Sequence, residues 1–283
     1  MELKKLASKI SSKAKKNGAL QTLETKCEIF NDPNCDIPFI IRKMSDNSNK
    51  FFSKSVTNCC NKDPFLFPEQ ELIVKELGPT HLLILNKYNV VKNHLLIITK
   101  EFIDQELPIT KNDFLALKMV MKEIDGLAFY NSGKIAGASQ SHRHLQLAPT
   151  PLAEKGQPIP INDILIRECP QNLGQLKTLP YRNLACLVPD LKTNNWEEKI
   201  LKIYSESLKL LNLVSEKRLL PYNLLITKDW FLMVPRVNEC YQSISINGLG
   251  IAGTFLVKNQ DEYDLLITTG PSKILAHISS GPM

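Results

Sequence analysis

The segment from Gly133 to Gln146 constrains this chain more than any other. It opens as a turn and closes as a strand. Gly133 and Gly137 stand near Ser139 and Ser141, a composition suited to backbone that takes unusual dihedrals and approaches an anion closely. His142-Arg143-His144-Leu145-Gln146 follows, and its alternation puts His142, His144 and Gln146 on one face of an extended strand. Three readings suit that face. The histidines can be satisfied polar residues of an ordinary strand. They can be metal ligands, since His-x-His presents two imidazoles together. Yet His81, His94 and His277 lie at no ligand-like spacing to the pair, and no Asp or Glu falls between Tyr130 and Ala153. The third reading is chemistry at phosphorus. A neutral imidazole attacks phosphorus and holds it as a phosphoramidate, while a neighbouring carboxamide donates to the charged oxygens.

The flanking sequence supplies a scaffold. Leu82–Leu85 and His94–Thr99 are apolar runs around Asn86–Asn93, a pattern of two strands with a short connection. Lys87 follows the first run, at a strand end where a charge can face a cleft. Thr110 and Asp113 form a T-x-x-D start signal for a helix with Phe114, Leu117, Met121 and Ile124 on one face, which Gly126 is expected to stop. Leu127–Tyr130 is then a strand leading into the Gly/Ser loop. Farther on, Leu184–Val188 reads as a strand and Asn195–Val214 as a long amphipathic helix. Leu224–Thr227 with Trp230–Val234 reads as a hairpin, and Asn247–Gly253 as a turn before the strand Thr254–Lys258. Residues 149–180 are proline-rich and are expected to wrap the surface, and residues 44–64, rich in Asn, Ser and Lys, read as a loop. Leu3, Leu6, Ile10 and Ala14 sit at helical spacing in an amphipathic N-terminal helix. Trp196 and Trp230 are expected in the core or an interface.

A chain of 283 residues can bury a large core, as one domain or two intimate lobes. Its net charge of +6 suits a small polyanionic substrate and falls short of a nucleic-acid footprint. No apolar run reaches transmembrane length, so no membrane partner is expected. Seven cysteines, at 27, 35, 59, 60, 169, 186 and 240, include no C-x-x-C and read as reduced thiols of a cytoplasmic protein.

The runs Phe129-Tyr130-Asn131-Ser132-Gly133, Ala136-Gly137-Ala138-Ser139-Gln140 and His142-Arg143-His144-Leu145-Gln146 resemble the diadenosine tetraphosphate phosphorylases. These are ATP adenylyltransferases of the transferase branch of the histidine-triad superfamily. Asp63-Pro64-Phe65, Leu85-Asn86-Lys87-Tyr88, His94-Leu95-Leu96, Tyr222-Asn223-Leu224, Val234-Pro235-Arg236 and Asn247-Gly248 fit the same family in the same order, from about residue 37 to 260. The resemblance implies an α+β fold, mainly antiparallel sheet with flanking helices. A catalytic lobe over 1–150 would precede a C-terminal lobe over 151–283 that completes the cleft.

For chemistry, the resemblance implies that His144 is the nucleophile that becomes adenylylated and that His142 orients or buttresses it. Gln146 stands where hydrolase relatives carry a third histidine. A carboxamide supplies no proton, so the leaving group must depart unaided, as ATP does. The implied activity is reversible phosphorolysis of diadenosine tetraphosphate to ATP and ADP. A nucleoside-diphosphate sugar, adenylyl sulfate, or a non-catalytic adenine-nucleotide sensor are the alternatives. The implied substrate contacts are Lys50 or Lys54, Asn86, Lys87, Asn131, the loop Gly137, Ala138, Ser139 and Gln140, then Gln146, Asn247, Gly248, Leu249, Thr254 and Lys258. No dedicated metal site is implied; Mg²⁺ is expected only as a companion of the polyphosphate.

Overall fold

The structure, a computed structural model, describes residues 2–48, 63–216 and 218–279. Lys50, Lys54, Cys59 and Cys60 lie outside the described residues. An eight-stranded sheet organises the chain, in the order Ile73–Leu77, His81–Leu85, Leu95–Thr99, His144–Pro149, Gly126–Asn131, Tyr222–Ile226, Trp230–Pro235 and Leu184–Leu187. Every pairing in it is antiparallel. A smaller sheet pairs Thr25–Asn31 with Pro38–Met44 antiparallel, and Pro38–Met44 with Thr254–Val257 parallel.

Alternation along the strands assigns two faces to the large sheet. Leu95, Ile97, Leu145, Leu147, Leu224 and Met233 turn toward the helices Glu2–Lys16, Lys111–Met121 and Trp196–Leu210, packing with Leu3, Ala7, Phe114, Leu117, Trp196 and Tyr204. On the opposite face, Leu127, Phe129, Leu225 and Leu232 are covered by the small sheet through Phe39, Ile41 and Phe255, and by Ile274 and Leu275 of the helix Pro271–Ile278. That cover continues only part of the way. Ile84, Leu96 and Ile98 of the opposite face form a separate cluster under Phe65.

Local signals account for several of these elements. Thr110 and Asp113 make a full capping box, each side chain bonding the other's backbone amide. The helix they start ends at Met121, however, and Gly126 opens the next strand instead of stopping the helix. A Cβ at Gly126 would lie 2.6 Å from the Ala148 carbonyl oxygen, so the glycine serves close strand approach. The N-terminal helix buries Leu3, Ala7 and Ala14. Residues 149–180 include a helix, Asn162–Glu168. Two C-terminal helices, Gln260–Thr269 and Pro271–Ile278, complete the chain as described.

Candidate active site

The strand His144–Pro149 lies between Leu95–Thr99 and Gly126–Asn131. Ile98 pairs with His144 and Leu96 with Gln146, so both polar side chains emerge on the face that carries Leu96 and Ile98. There they border a cleft of about 410 Å³ with Asp63, Phe65, Phe67, Asn86, Lys87, Ser139 and Gln140. Its described lining lies between residues 63 and 146.

His144 is buried, and its Nδ1 donates to the backbone carbonyl of His142 at 2.8 Å. Burial holds its pKa down at about 4, and the neighbouring His142 adds to the depression against the bond to that carbonyl. The ring is therefore neutral near pH 7. With Nδ1 carrying the proton, Nε2 keeps a free lone pair. The backbone is clamped as well. Gln105 Oε1 accepts from the His144 amide at 2.8 Å, while its Nε2 donates to the carbonyls of Asn131 at 2.9 Å and His144 at 3.2 Å. Tyr130 donates its hydroxyl to the Gln105 carbonyl.

His142 precedes the strand, and its ring also meets Phe65, at 5.8 Å against 5.1 Å for His144. Its Nδ1 lies 2.6 Å from Asp63 Oδ2, and its Nε2 2.8 Å from the Thr99 carbonyl. Both nitrogens thus face acceptors, and the ring is locked in place rather than presented to the cleft. Asp63 Oδ1 meanwhile accepts from the amide of Phe65 at 2.9 Å. One carboxylate thus holds both the His142 ring and the turn that places Phe65. Arg143 points the other way, into the helical layer, where it donates to Asp113 at 3.2 Å and to the Leu107 carbonyl at 2.9 Å.

The structure brings Asn86, Lys87, Ser139, Gln140, His144 and Gln146 to one cleft. Lys87 is paired there with Glu69 at 2.6 Å. Gly137 and Ala138 line a neighbouring cleft of about 720 Å³ that shares Ser139 and Gln140 with the first. Gly137 takes φ +88°, and the amides of Gly137 and Ala138 are taken up by Lys134 and Gly133. That leaves the Ser139–Gln140 end of the loop to offer amides. Asn131 sits behind the loop, its Oδ1 accepting from Asn223 at 2.8 Å and from the Gly248 amide at 2.9 Å. Asn247 caps the short helix Gly248–Ile251 at 3.0 Å. This turn backs the loop directly, since a Cβ on Gly137 would meet the Ile246 carbonyl at 2.7 Å. Leu249 is part of the core between the sheets. Thr254 and Lys258 belong to the small sheet and its edge, where Lys258 lies 3.7 Å from Glu262, outside the described lining of the cleft.

Asp63, Thr99, Gln105 and Arg143 carry positioning contacts to which the sequence alone attaches no role. Arg143 lies inside the motif, and a charged residue on the apolar side of the alternation is a signal that a buried partner awaits it. Gln105 has no such signal. Among the described residues no group of three His, Cys, Asp or Glu side chains is placed to hold a metal ion. No described helix is long and apolar enough to cross a membrane.

Comparisons with known proteins agree with this geometry. Residues 1–167 match the Ap4A phosphorylase N-terminal domain, and residues 177–280 match the ATP adenylyltransferase C-terminal domain. Diadenosine 5',5'''-P1,P4-tetraphosphate phosphorylase 2 of Saccharomyces cerevisiae is 28% identical over 89% of this chain and 86% of its own. The crystal structure of yeast Ap4A phosphorylase Apa2 in complex with AMP superposes with a TM-score of 0.82 at 26% identity, covering 100% of this chain and 99% of that one. The same enzyme in complex with Ap4A gives 0.81 at 26% identity, over 98% and 97%. A strand presenting a neutral, clamped histidine beside a glutamine, within a fold shared end to end with these structures, settles the membership: the chain belongs to the Ap4A phosphorylase N-terminal domain family, with the ATP adenylyltransferase C-terminal domain following in the same polypeptide.

Proposed function

We propose that this protein is a nucleotidyltransferase that carries out phosphorolysis of diadenosine tetraphosphate, with His144 as the covalent nucleophile. The observation that carries the reading is the protonation pattern of His144. Nδ1–H is fixed on the His142 carbonyl, and burial keeps the ring neutral, so Nε2 bears the lone pair. Nε2 attacks the α-phosphorus. A P–N bond forms, the bridging P–O bond breaks, and its electron pair departs on the terminal phosphate of ATP. An oxygen of inorganic phosphate then attacks the same phosphorus. The P–N bond breaks, ADP leaves, and Nε2 regains its lone pair. In the intermediate the ring carries positive charge, and the His142 carbonyl at Nδ1 stabilises it. Gln146 donates N–H to a phosphate oxygen and neither supplies nor takes a proton, which suits a phosphate leaving group and leaves an attacking water without a base catalyst. Two in-line displacements give retention at phosphorus and ping-pong kinetics.

Asp63, Thr99 and Gln105 act as positioning residues in this scheme. Asn86, Lys87, Ser139 and Gln140 border the substrate, and Lys50 or Lys54 reaches the polyphosphate. Asn131, Asn247 and Gly248 brace the loop of Gly137 and Ala138 from behind, while Leu249, Thr254 and Lys258 support that turn and the strand after it from outside the described lining of the cleft. A division near residue 150 is part of this reading, drawn where the triad strand ends at Pro149; the two family matches themselves part later, between 167 and 177. The described cysteines are all unpaired, which supports residence in the cytoplasm.

Chromatography of products tests the reading. The protein is mixed with diadenosine tetraphosphate, with and without inorganic phosphate. ATP and ADP forming only with phosphate is the expected result. AMP accumulating catalytically without phosphate would make the protein a hydrolase and remove the role given to Gln146.

A further inference from the structure

His94 is a buried imidazole 4% exposed, and the scheme above does not use it. It begins the turn into Leu95–Thr99, next to the triad strand, with its ring 5.7 Å from Phe129. Phe129 is the residue paired with Gln146 across the sheet. The Gln146 carboxamide faces this ring, and burial holds the ring neutral, with a pKa of about 4.

The proton on His94 can be placed by following the hydrogen bonds inward. The Tyr88 amide donates to Asn86 Oδ1 at 3.3 Å, which fixes the Asn86 carboxamide with its Nδ2 toward His94. Asn86 Nδ2 lies 3.2 Å from His94 Nδ1. An amide nitrogen only donates, so Nδ1 must accept and be unprotonated. A neutral ring then carries its proton on Nε2. That Nε2 is buried and makes no hydrogen bond, a costly state for a donor, although the Gln146 side chain stands beside it.

We propose that His94 is a positioning residue, whose Nε2–H donates to Oε1 of Gln146 and so turns the Gln146 amino group toward the phosphate in the cleft. A carboxamide is ambiguous by itself, because it can present either its oxygen or its nitrogen. Oxygen toward a polyphosphate would repel it. The chain that starts at the Tyr88 amide and runs through Asn86 and His94 to Gln146 removes that ambiguity, since Asn86 and His94 each accept on one side and donate on the other. This inference rests on the phosphorolysis reading for its consequence, but the tautomer of His94 does not depend on it.

Two measurements test it. Long-range ¹⁵N–¹H correlation spectra of the intact protein report the tautomer, with His94 identified by the signal lost in His94→Phe. The expected result is the Nε2–H form; an Nδ1–H form overturns the proposal. A double-mutant cycle then reads the coupling in phosphorolysis of diadenosine tetraphosphate. His94→Phe keeps ring volume and should lower kcat about tenfold or more with KM little changed. His94→Gln, which restores a donor near the Nε2 position, should recover part of that loss. On a Gln146→Ala background, His94→Phe should cost nothing further. Effects that multiply show His94 acting independently of Gln146 and overturn the proposal. A wild-type protein that turns over no diadenosine tetraphosphate would refute the substrate reading instead, with the tautomer still deciding the orientation of the relay.

Discussion

Arg143 donates to Asp113 at 3.2 Å with both side chains almost wholly withdrawn from water. The same carboxylate accepts from Thr110 and lies 3.0 Å from His81 Nε2. These bonds and the Arg143 charge hold its pKa below the usual carboxylate range against the opposing effect of burial. The residue between the two motif histidines is thus bolted to the first turn of the helix behind the sheet. Asp113→Ala removes a helix cap and leaves the buried guanidinium without its countercharge, held only by backbone carbonyls such as that of Leu107. The expected loss is about 3–5 kcal/mol in urea unfolding. A loss under about 1 kcal/mol would show that water or carbonyls satisfy Arg143 without the carboxylate.

The depressed pKa of His144 sets the pH profile of its adenylylation. An exposed imidazole near 6.5 would be mostly protonated at pH 5.5. Here the ring stays neutral until about pH 4, so the rate of label transfer to His144 should stay level from pH 8 to 5.5 and fall only below. Rapid quench of the first half-reaction isolates this group, because the inner tetraphosphate bridge has no terminal phosphate to titrate. An acid limb centred near 6.5 would mean that the nucleophile is hydrated in the working enzyme.

Asp63→Asn separates charge from shape. Asparagine keeps an Oδ1 for the Phe65 amide but loses the carboxylate facing His142 Nδ1. The expected outcome is a drop in kcat of about tenfold with the melting temperature nearly unchanged. Equal kcat in the two proteins would reduce Asp63 to a turn former.

How much of this site could be read along the chain follows from sequence separation. His142, His144, Gln146 and the Gly/Ser loop are local, so alternation and composition expose them. The capping box at Thr110 and Asp113 is local too, and it forms as the T-x-x-D spacing requires. The contacts that hold the histidines are distant: Gln105 is 39 residues from His144, Thr99 is 43 from His142, and Asp63 is 79 from it. Only the strand order brings them together, and no periodicity encodes a glutamine that clamps a backbone. The misread Gly126 has the same origin, since its reason is the Ala148 carbonyl on a strand not yet in view. Asn259, which caps the helix Gln260–Thr269, and Pro271, which opens the next, were local signals available for the C-terminal helices.

Two buried neutral rings make stability depend on acid. His94 and His144 both fall from 6.5 to about 4 on folding. The unfolded chain therefore binds more protons between those values. Stability from this source is complete above pH 6.5 and is lost as pH falls toward 4, on the order of 3 kcal/mol for each ring at most. Urea unfolding of the wild type and of His94→Phe at pH 7 and pH 4.5 checks the sign. The variant should lose less on acidification, and a larger loss in the variant would contradict the assignment of a buried neutral imidazole.

Gly137 offers a test of the loop that uses a second glycine as its control. Gly137 and Gly18 both have positive φ, +88° and +80°. Alanine at either position carries a left-handed strain of about 1–2 kcal/mol. At Gly18 nothing lies within 4 Å of the added Cβ, so that strain is the whole effect. At Gly137 the Cβ would stand 2.7 Å from the Ile246 carbonyl oxygen and 2.8 Å from Asn247 Cα, both backbone atoms that cannot turn aside. Either the turn before Gly248 or the loop through Ser139 has to shift, and Ser139 borders the cleft. Gly137→Ala should therefore destabilise the protein more than Gly18→Ala and raise KM for diadenosine tetraphosphate, while Gly18→Ala leaves KM alone. Equal losses of stability in the two variants, with equal KM, would show that the loop and the turn are not in register as the structure has them.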